Sequence, residues 1–311
     1  TFGYLNDIRD KSHGEELIET RLLIRGRRGW NAWTYVYDAS AKDAVLTVDG
    51  ARRQMTWTHY DGNERSINYI VPTVKDCRAC HNDRYDVVPI GPKAWNLNRE
   101  FEYDHGTENQ LAHWSDIGIL KGAPPPHAAP ALPLWDDKTD GTLDERARAY
   151  LEVNCAHCHN PNGPADNTSL DLRWTQDNPY DYGVFRPLAE GRRDRNERRG
   201  DDGDRDRDDR RRDDERGTWD RFLREAADFV SGGRRGVNRD RDWGEGDFDP
   251  AGRVYDIVPG KPDESIMVYR MESLVPEITM PKVPHRQIHE EGVALIREWI
   301  SAMEEGNAAS N

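Results

Sequence analysis

Residues 141–159 read GTLDERARAYLEVNCAHCH. Thr142 and Glu145 stand at capping-box spacing, and Leu143, Ala147, Tyr150 and Leu151 then recur on one helical face. The pattern predicts a helix whose C-terminal end delivers a Cys-x-x-Cys-His element made of Cys155, Cys158 and His159. Working outward, residues 77–81 read CRACH and repeat the element with Cys77, Cys80 and His81. These two copies hold all four cysteines of the chain.

Three chemistries use such residues. A structural zinc ribbon separates its two Cys-x-x-Cys knuckles by about 15 to 20 residues, whereas the interval from Cys80 to Cys155 is far longer. A thioredoxin-like dithiol expects a single motif after a strand and has no use for the adjoining histidines. Covalent haem attachment uses every residue: the thiols add across the two vinyl groups, and the next histidine becomes the proximal iron ligand. The expectation is two haem c groups, with His81 and His159 on the irons and His157 at a solvent-facing position between cysteines. Covalent attachment of this kind takes place outside the cytoplasm, so the expected location is periplasmic or extracellular. Thr1 in place of an initiating methionine reads as a processed or truncated start.

Composition narrows the partners. The formal charge is −14, from 44 Lys and Arg against 58 Asp and Glu, which excludes a nucleic-acid partner and favours basic redox partners steered by charge. No apolar run reaches the roughly 18 residues of a membrane span. The hydrophobic fraction of 35% and charged fraction of 33% leave much of the length to surface.

Before the first motif the chain is β-rich. RLLIRG, WTYVYD, AVLTV, QMTWTHY and SINYIVP, between residues 21 and 72, are β-branched and aromatic runs divided by the hairpin signals Asp49-Gly50 and Asp61-Gly62. A small antiparallel sheet follows, packed against the first haem, with Trp30, Trp33 and Trp57 as its large apolar side chains. After the motif, Thr107 and Gln110 predict a capping box for a short helix ending near Gly118, with Leu111, Trp114 and Ile117 on its apolar face. His113 on that helix, and then His105 just before it, are the expected sixth ligands of the first iron. His59, His127, Met55 and an open five-coordinate iron are the alternatives. The Pro-rich run 122–137, GAPPPHAAPALPLWDD, reads as a stiff extended linker. The fold class is therefore α+β: a β-rich region over 1–135, then a mainly helical domain over 136–311.

That second domain carries an insertion, residues 190–250. Residues 192–216 contain 11 Arg and 11 acidic residues with two Gly and one Asn, a composition that buries no core and offers a contact surface to another copy or a redox partner. TWDRFLREAADFV after it has an amphipathic helical pattern. NRDRDWGEGDFD has the oxygen density of a calcium loop, but Trp243 stands where such a loop needs glycine.

Downstream come VPGKPDESIMVYRM, ITMPKVP and QIHEEGVALIREWISAM. The last of these places Ile288, Val293, Ile296, Trp299, Ile300 and Met303 at helical intervals. With the helix of residues 142–154 and the CAHCH element, these pieces resemble a class I cytochrome c domain. The resemblance implies that first and last helices cross, with Tyr150 and Trp299 as partners. It also implies that Met280, before Pro281, is the distal ligand of the second iron, with His285 and His289 as rivals and Met267, Met271 and Met303 as core filler. The order VPTVKDCRACH, LNRE, ENQLAHW, Pro-rich run, RARAYLEVNCAHCHNPNGPA and MPKVP is similar to a family of bacterial diheme c-type cytochromes without a settled partner. The implied role is electron transport between redox partners. A diheme peroxidase, with Glu100, Glu102 or Glu108 as acid-base groups, is the enzymatic alternative, and a subunit of a cytochrome filament or larger redox complex is the structural one.

Overall fold

Strand β1, Phe2–Leu5, pairs with β2, Glu15–Gly26, because the short turn Lys11–His13 reverses the chain. β2 pairs in turn with β3, Gly29–Tyr37, through the two-residue connection Arg27-Arg28, and β3 with the short β4, Ala44–Leu46. The result is a four-stranded antiparallel sheet in the order β1-β2-β3-β4. β5, Ala51–Thr58, and β6, Glu64–Val71, form a separate hairpin. Asp61-Gly62 closes that hairpin as expected: Asn63 N donates to Asp61 Oδ1 at 2.9 Å, and Gly62 takes φ +81°. Asp49-Gly50 makes no hairpin. It carries the chain from β4 into the second sheet, with Gly50 at φ +72° and so close to the Val71 carbonyl that a Cβ would lie 2.5 Å from its oxygen.

The two sheets are joined by a small core of Ile18, Met55 and Val71 and by a buried polar knot. Fully buried Glu19 accepts from Arg21 Nε at 2.9 Å and from the Tyr69 hydroxyl at 2.7 Å, and Arg21 Nη2 also donates to that hydroxyl at 3.0 Å. Both Glu19 oxygens are thereby hydrogen-bonded and faced by a cation, the condition under which buried charge is tolerated.

Helix α1, Val74–Cys80, starts on a reciprocal capping box between Thr73 and Asp76 and ends in the first motif. A one-turn helix α2, Ala94–Leu97, leads to a hairpin of β7, Glu100–Tyr103, and β8, Gly106–Asn109, and then to α3, Gln110–Asp116. Here the sequence pattern misleads. Thr107 belongs to β8, and Asn109 caps α3 by accepting from Leu111 N at 3.0 Å and Ala112 N at 3.2 Å. Leu111 is buried, while Ile117 is exposed. The Pro-rich run is extended but fastened along its length. Asn98 Nδ2 donates to the Pro126 and Ala129 carbonyls at 2.9 Å, Leu132 N donates to Trp95 O at 3.1 Å, and Leu132 is buried. Proline removes donors, and the exposed carbonyls are claimed by neighbours.

The larger core is helical. α4, Leu143–Asn154, has the capping box between Thr142 and Glu145 in place. α5 is Ile266–Met271 and α6 is Glu290–Ser301. α4 and α6 pack on each other, and Ala147, Tyr150, Leu151, Met267, Val268, Ile296, Trp299 and Ile300 share one cluster, with Met271 and Met303 against it. Tyr150 and Trp299 enter this cluster by different partners. The Trp299 indole donates to Asp144 Oδ1 at 2.7 Å. The Tyr150 hydroxyl meets His289 Nδ1 at 3.0 Å and presses on Gly292, where no Cβ fits.

The structure, a computed structural model, describes residues 1–187 and 252–303 apart from 39, 85, 277 and 283–286. The insertion 190–250, its calcium-like loop and His285 lie outside the described residues. Either side of the insertion the chain closes on itself: Phe185 N donates to Ile257 O at 2.9 Å and Asp256 N to Arg186 O at 2.9 Å. The architecture is α+β with antiparallel sheets, and no described helix is long and apolar enough to cross a membrane. The described residues fall in one compact unit.

Candidate functional site

Both Cys-x-x-Cys-His elements sit at a helix C-terminus, where unpaired carbonyls hold the next turn. His81 N donates to Cys77 O at 2.9 Å at the end of α1, and His159 N donates to Cys155 O at 2.9 Å after α4. The four cysteines are free thiols. Cys77 is buried against β3, where its thiol meets the Thr34 hydroxyl, and burial raises its pKa above the ordinary thiol value. The β-rich region thus covers the first motif. Cys155 packs on the helical core, and burial pushes its thiol up to about 12.

The histidines following the cysteines are held alike. His81 Nδ1 lies 3.1 Å from the Val88 carbonyl, which accepts only, so Nδ1 carries the proton. His159 Nδ1 lies 3.2 Å from Thr168 Oγ1, whose own proton goes to Ala165 O at 2.8 Å, so this oxygen too must accept. In neither ring does Nε2 have a hydrogen-bond partner among the described residues. A metal-ligating imidazole is set up in this way, with the far nitrogen tied to oxygen and the near one open. Burial, followed by the charge of Arg270 and then of His157 and Lys282, lowers His159 to about 4 and keeps it neutral.

Arg270 and Lys282 bring the expected distal segment into the neighbourhood of His159. Met280 N donates to Arg270 O at 3.0 Å, and Lys282 follows Met280 by two positions. His289 is engaged elsewhere, between the Tyr150 hydroxyl and the Trp135 ring. Met55 lies in the sheet core, and His127 sits exposed on the turn Pro126–Ala128.

The long interval between the motifs is spanned by the fold. The sulfurs of Cys80 and Cys158 and a ring nitrogen of His157 all lie within 4.8 Å of one another. Cys80 accepts from the Cys158 thiol and from His157, which lowers its pKa to about 5, while Cys158, as the donor to Cys80, is raised. The loops that follow are joined as well, with Arg84 N donating to Asn162 O at 3.1 Å and Arg84 Nε to Asn162 Oδ1 at 3.0 Å. His157 is therefore not a solvent-facing spacer, and no residue within CAHCH signals this because its partner Cys80 belongs to the other motif.

His105 and His113 are also brought together, across Glu108. His105 Nε2 is 3.1 Å from Glu108 Oε1 and His113 Nδ1 is 2.8 Å from Glu108 Oε2. The Tyr103 ring stacks on both imidazoles, at centroid distances of 5.4 Å and 4.0 Å. A cavity of about 930 Å³ opens in another place, lined by His59, Tyr60, Trp135, Arg146 and His289 among others. None of the six cysteines and histidines that define the two Cys-x-x-Cys-His elements lines it.

Comparison with protein-family models, curated proteins and solved structures returns no match.

Proposed function

We propose that this chain is a diheme c-type cytochrome that transfers single electrons between redox partners outside the cytoplasm, with a cytochrome c-like domain formed by α4, the Met280 segment and α6. Cys77, Cys80, Cys155 and Cys158 form the thioethers, and His81 and His159 are the proximal ligands. The observation that carries this reading is the matched state of those two imidazoles: Nδ1 tied to an oxygen acceptor and Nε2 open, each directly after a Cys-x-x-Cys pair at a helix end. Once bound, haem iron supplies reversible one-electron exchange. The chain contributes oriented imidazole ligands, burial around His159, and an acidic surface that favours basic partners.

Met280 is the proposed distal ligand at His159, supported by the bond from its amide to Arg270, whose charge acts on that imidazole. A thioether ligand stabilises ferrous iron and raises the potential. Production of the full chain in a host that attaches haem c, followed by a pyridine haemochrome assay, tests the reading. Two haems per chain are expected, one in each variant that loses a cysteine pair, and a charge-transfer band from methionine to ferric iron that vanishes in Met280→Ala. A chain without covalent haem in that host refutes it.

A second reading has an observation of its own. Cys80, His157 and Cys158 are three donors of the kind that hold a soft divalent metal. A zinc ribbon, however, uses both cysteines of each knuckle, and here Cys77 turns to Thr34 and Cys155 to the helical core. Zinc at one equivalent without haem in the same preparation supports this alternative.

A further inference from the structure

We propose that His105, Glu108 and His113 form a binding site for a divalent first-row transition ion, separate from the two Cys-x-x-Cys-His elements. Each of the three offers one ligand atom, and these atoms lie within 4.8 Å of one another. His105 and His113 contact different oxygens of Glu108, at 3.1 Å and 2.8 Å, each shorter than the roughly 3.4 Å between neighbouring ligands of a tetrahedral ion with bonds near 2.1 Å. A small opening admits the ion. Both imidazoles then ligate through the nitrogen that now faces the carboxylate, moving the proton to the other ring nitrogen.

The elements hold this geometry from three sides. His105 is on the two-residue connection between β7 and β8, Glu108 is in β8, and His113 is one turn into α3, whose Asn109 cap fixes the step from strand to helix. Tyr103, at the end of β7, lies against both rings and limits their rotation. Its hydroxyl supplies an independent pointer: the oxygen is buried and has no hydrogen-bond partner among the described residues, a costly state that a polar ligand beside these rings would relieve. Ligation of the first haem iron by His113 would use one imidazole and leave His105, Glu108 and this hydroxyl unexplained. Two imidazoles with one carboxylate, and solvent access at His105 and Glu108, suit Zn²⁺, Co²⁺, Ni²⁺ or Cu²⁺ with open positions for water.

The test is titration of the full, haem-loaded chain with Zn²⁺ in competition with a chromophoric chelator. One equivalent is expected to bind. His105→Ala, His113→Ala and Glu108→Gln should each weaken it by more than the roughly 10- to 100-fold that loss of an outer partner costs, and Tyr103→Phe by about tenfold. Glu108→Gln keeps the shape and hydrogen-bonding reach of the side chain, and far-ultraviolet circular dichroism checks that each variant is folded. His157→Ala should leave binding intact, and the haem absorption bands of His113→Ala should match those of the wild type. No stoichiometric binding, loss of binding in His157→Ala, or a changed axial-ligand spectrum in His113→Ala overturns the proposal. Failure of haem attachment is read separately, from the haemochrome.

Discussion

Cys80 and Cys158, the second cysteines of their two motifs, place their sulfurs within 4.8 Å of each other. If the proposed thioethers form there, Cys80 and Cys158 would hold one attachment point of each haem close to the other, and the pair would supply electron exchange within one chain. The loaded protein should therefore show a two-signed, exciton-coupled Soret band in circular dichroism. Cys77→Ser with Cys80→Ser, which leaves one haem, should reduce it to a single sign. A wild-type spectrum equal to the sum of the two singly loaded variants would place the haems too far apart for this role.

The polar knot between the sheets predicts a stability effect. Glu19→Gln removes the carboxylate facing Arg21 and leaves one of the donors now bonded to it without an acceptor. Because Arg21 keeps 27% of its side-chain surface, water recovers part of the loss, and a cost of about 1–3 kcal/mol is expected. Tyr69→Phe should cost about 1 kcal/mol, since it deletes one donor and one acceptor together. Thermal unfolding followed by circular dichroism measures both, and an unchanged melting temperature in Glu19→Gln contradicts the assignment.

What could be read along the chain was local. The Thr142 and Glu145 capping box, the apolar face through Val293, Ile296, Trp299 and Ile300, and the Asp61-Gly62 hairpin depend on neighbours a few residues away, and each stands where the pattern put it. The β7–β8 hairpin was hidden because Glu100, Phe101, Glu102 and Tyr103 alternate too briefly to announce a strand, and Thr107 and Gln110 imitate a capping box whose position Asn109 holds. For the candidate site, the cysteines and histidines were legible by spacing. The meeting of Cys80 with His157 and Cys158, and of His105 with His113, was not, because it arises from tertiary packing that no short window contains.

The packing of α4 on α6 depends on Gly292. A Cβ there would lie 2.6 Å from His289 Nδ1 and closer still to the Tyr150 hydroxyl. Gly292→Ala should therefore destabilise the fold by about 1–3 kcal/mol, the usual cost of overpacking, although alanine is the better helix former at an open position. Tyr150→Phe in the Gly292→Ala background should recover only part of the loss, because the ring itself stays in the way. Denaturant midpoints for the two single variants and the double variant give the coupling. A more stable Gly292→Ala would mean that the helices do not meet as described.

Asp256 sets a pH dependence of folding outside the two Cys-x-x-Cys-His elements. It is buried beside the strand-like pairing of residues 183–187 with 255–257, and burial raises its carboxyl to about 7 against the pull of Arg186 and Arg270, which lower it. In the unfolded chain the same group titrates near 3.8. Between these values the folded state holds a proton that the unfolded state has lost, so folding is favoured at the acid end and weakens as pH rises. The contribution is fully present below about 4 and is lost as pH climbs through about 7, beyond which the curve levels. Asp256→Asn removes the titration and should be more stable than the wild type near neutral pH, with the difference shrinking toward about pH 4. Chemical denaturation of both proteins across that range, compared point by point, isolates this group from the others. A difference that stays constant with pH, or that grows toward acid, would show that Asp256 is ionised in the folded protein and stabilised by the two arginines.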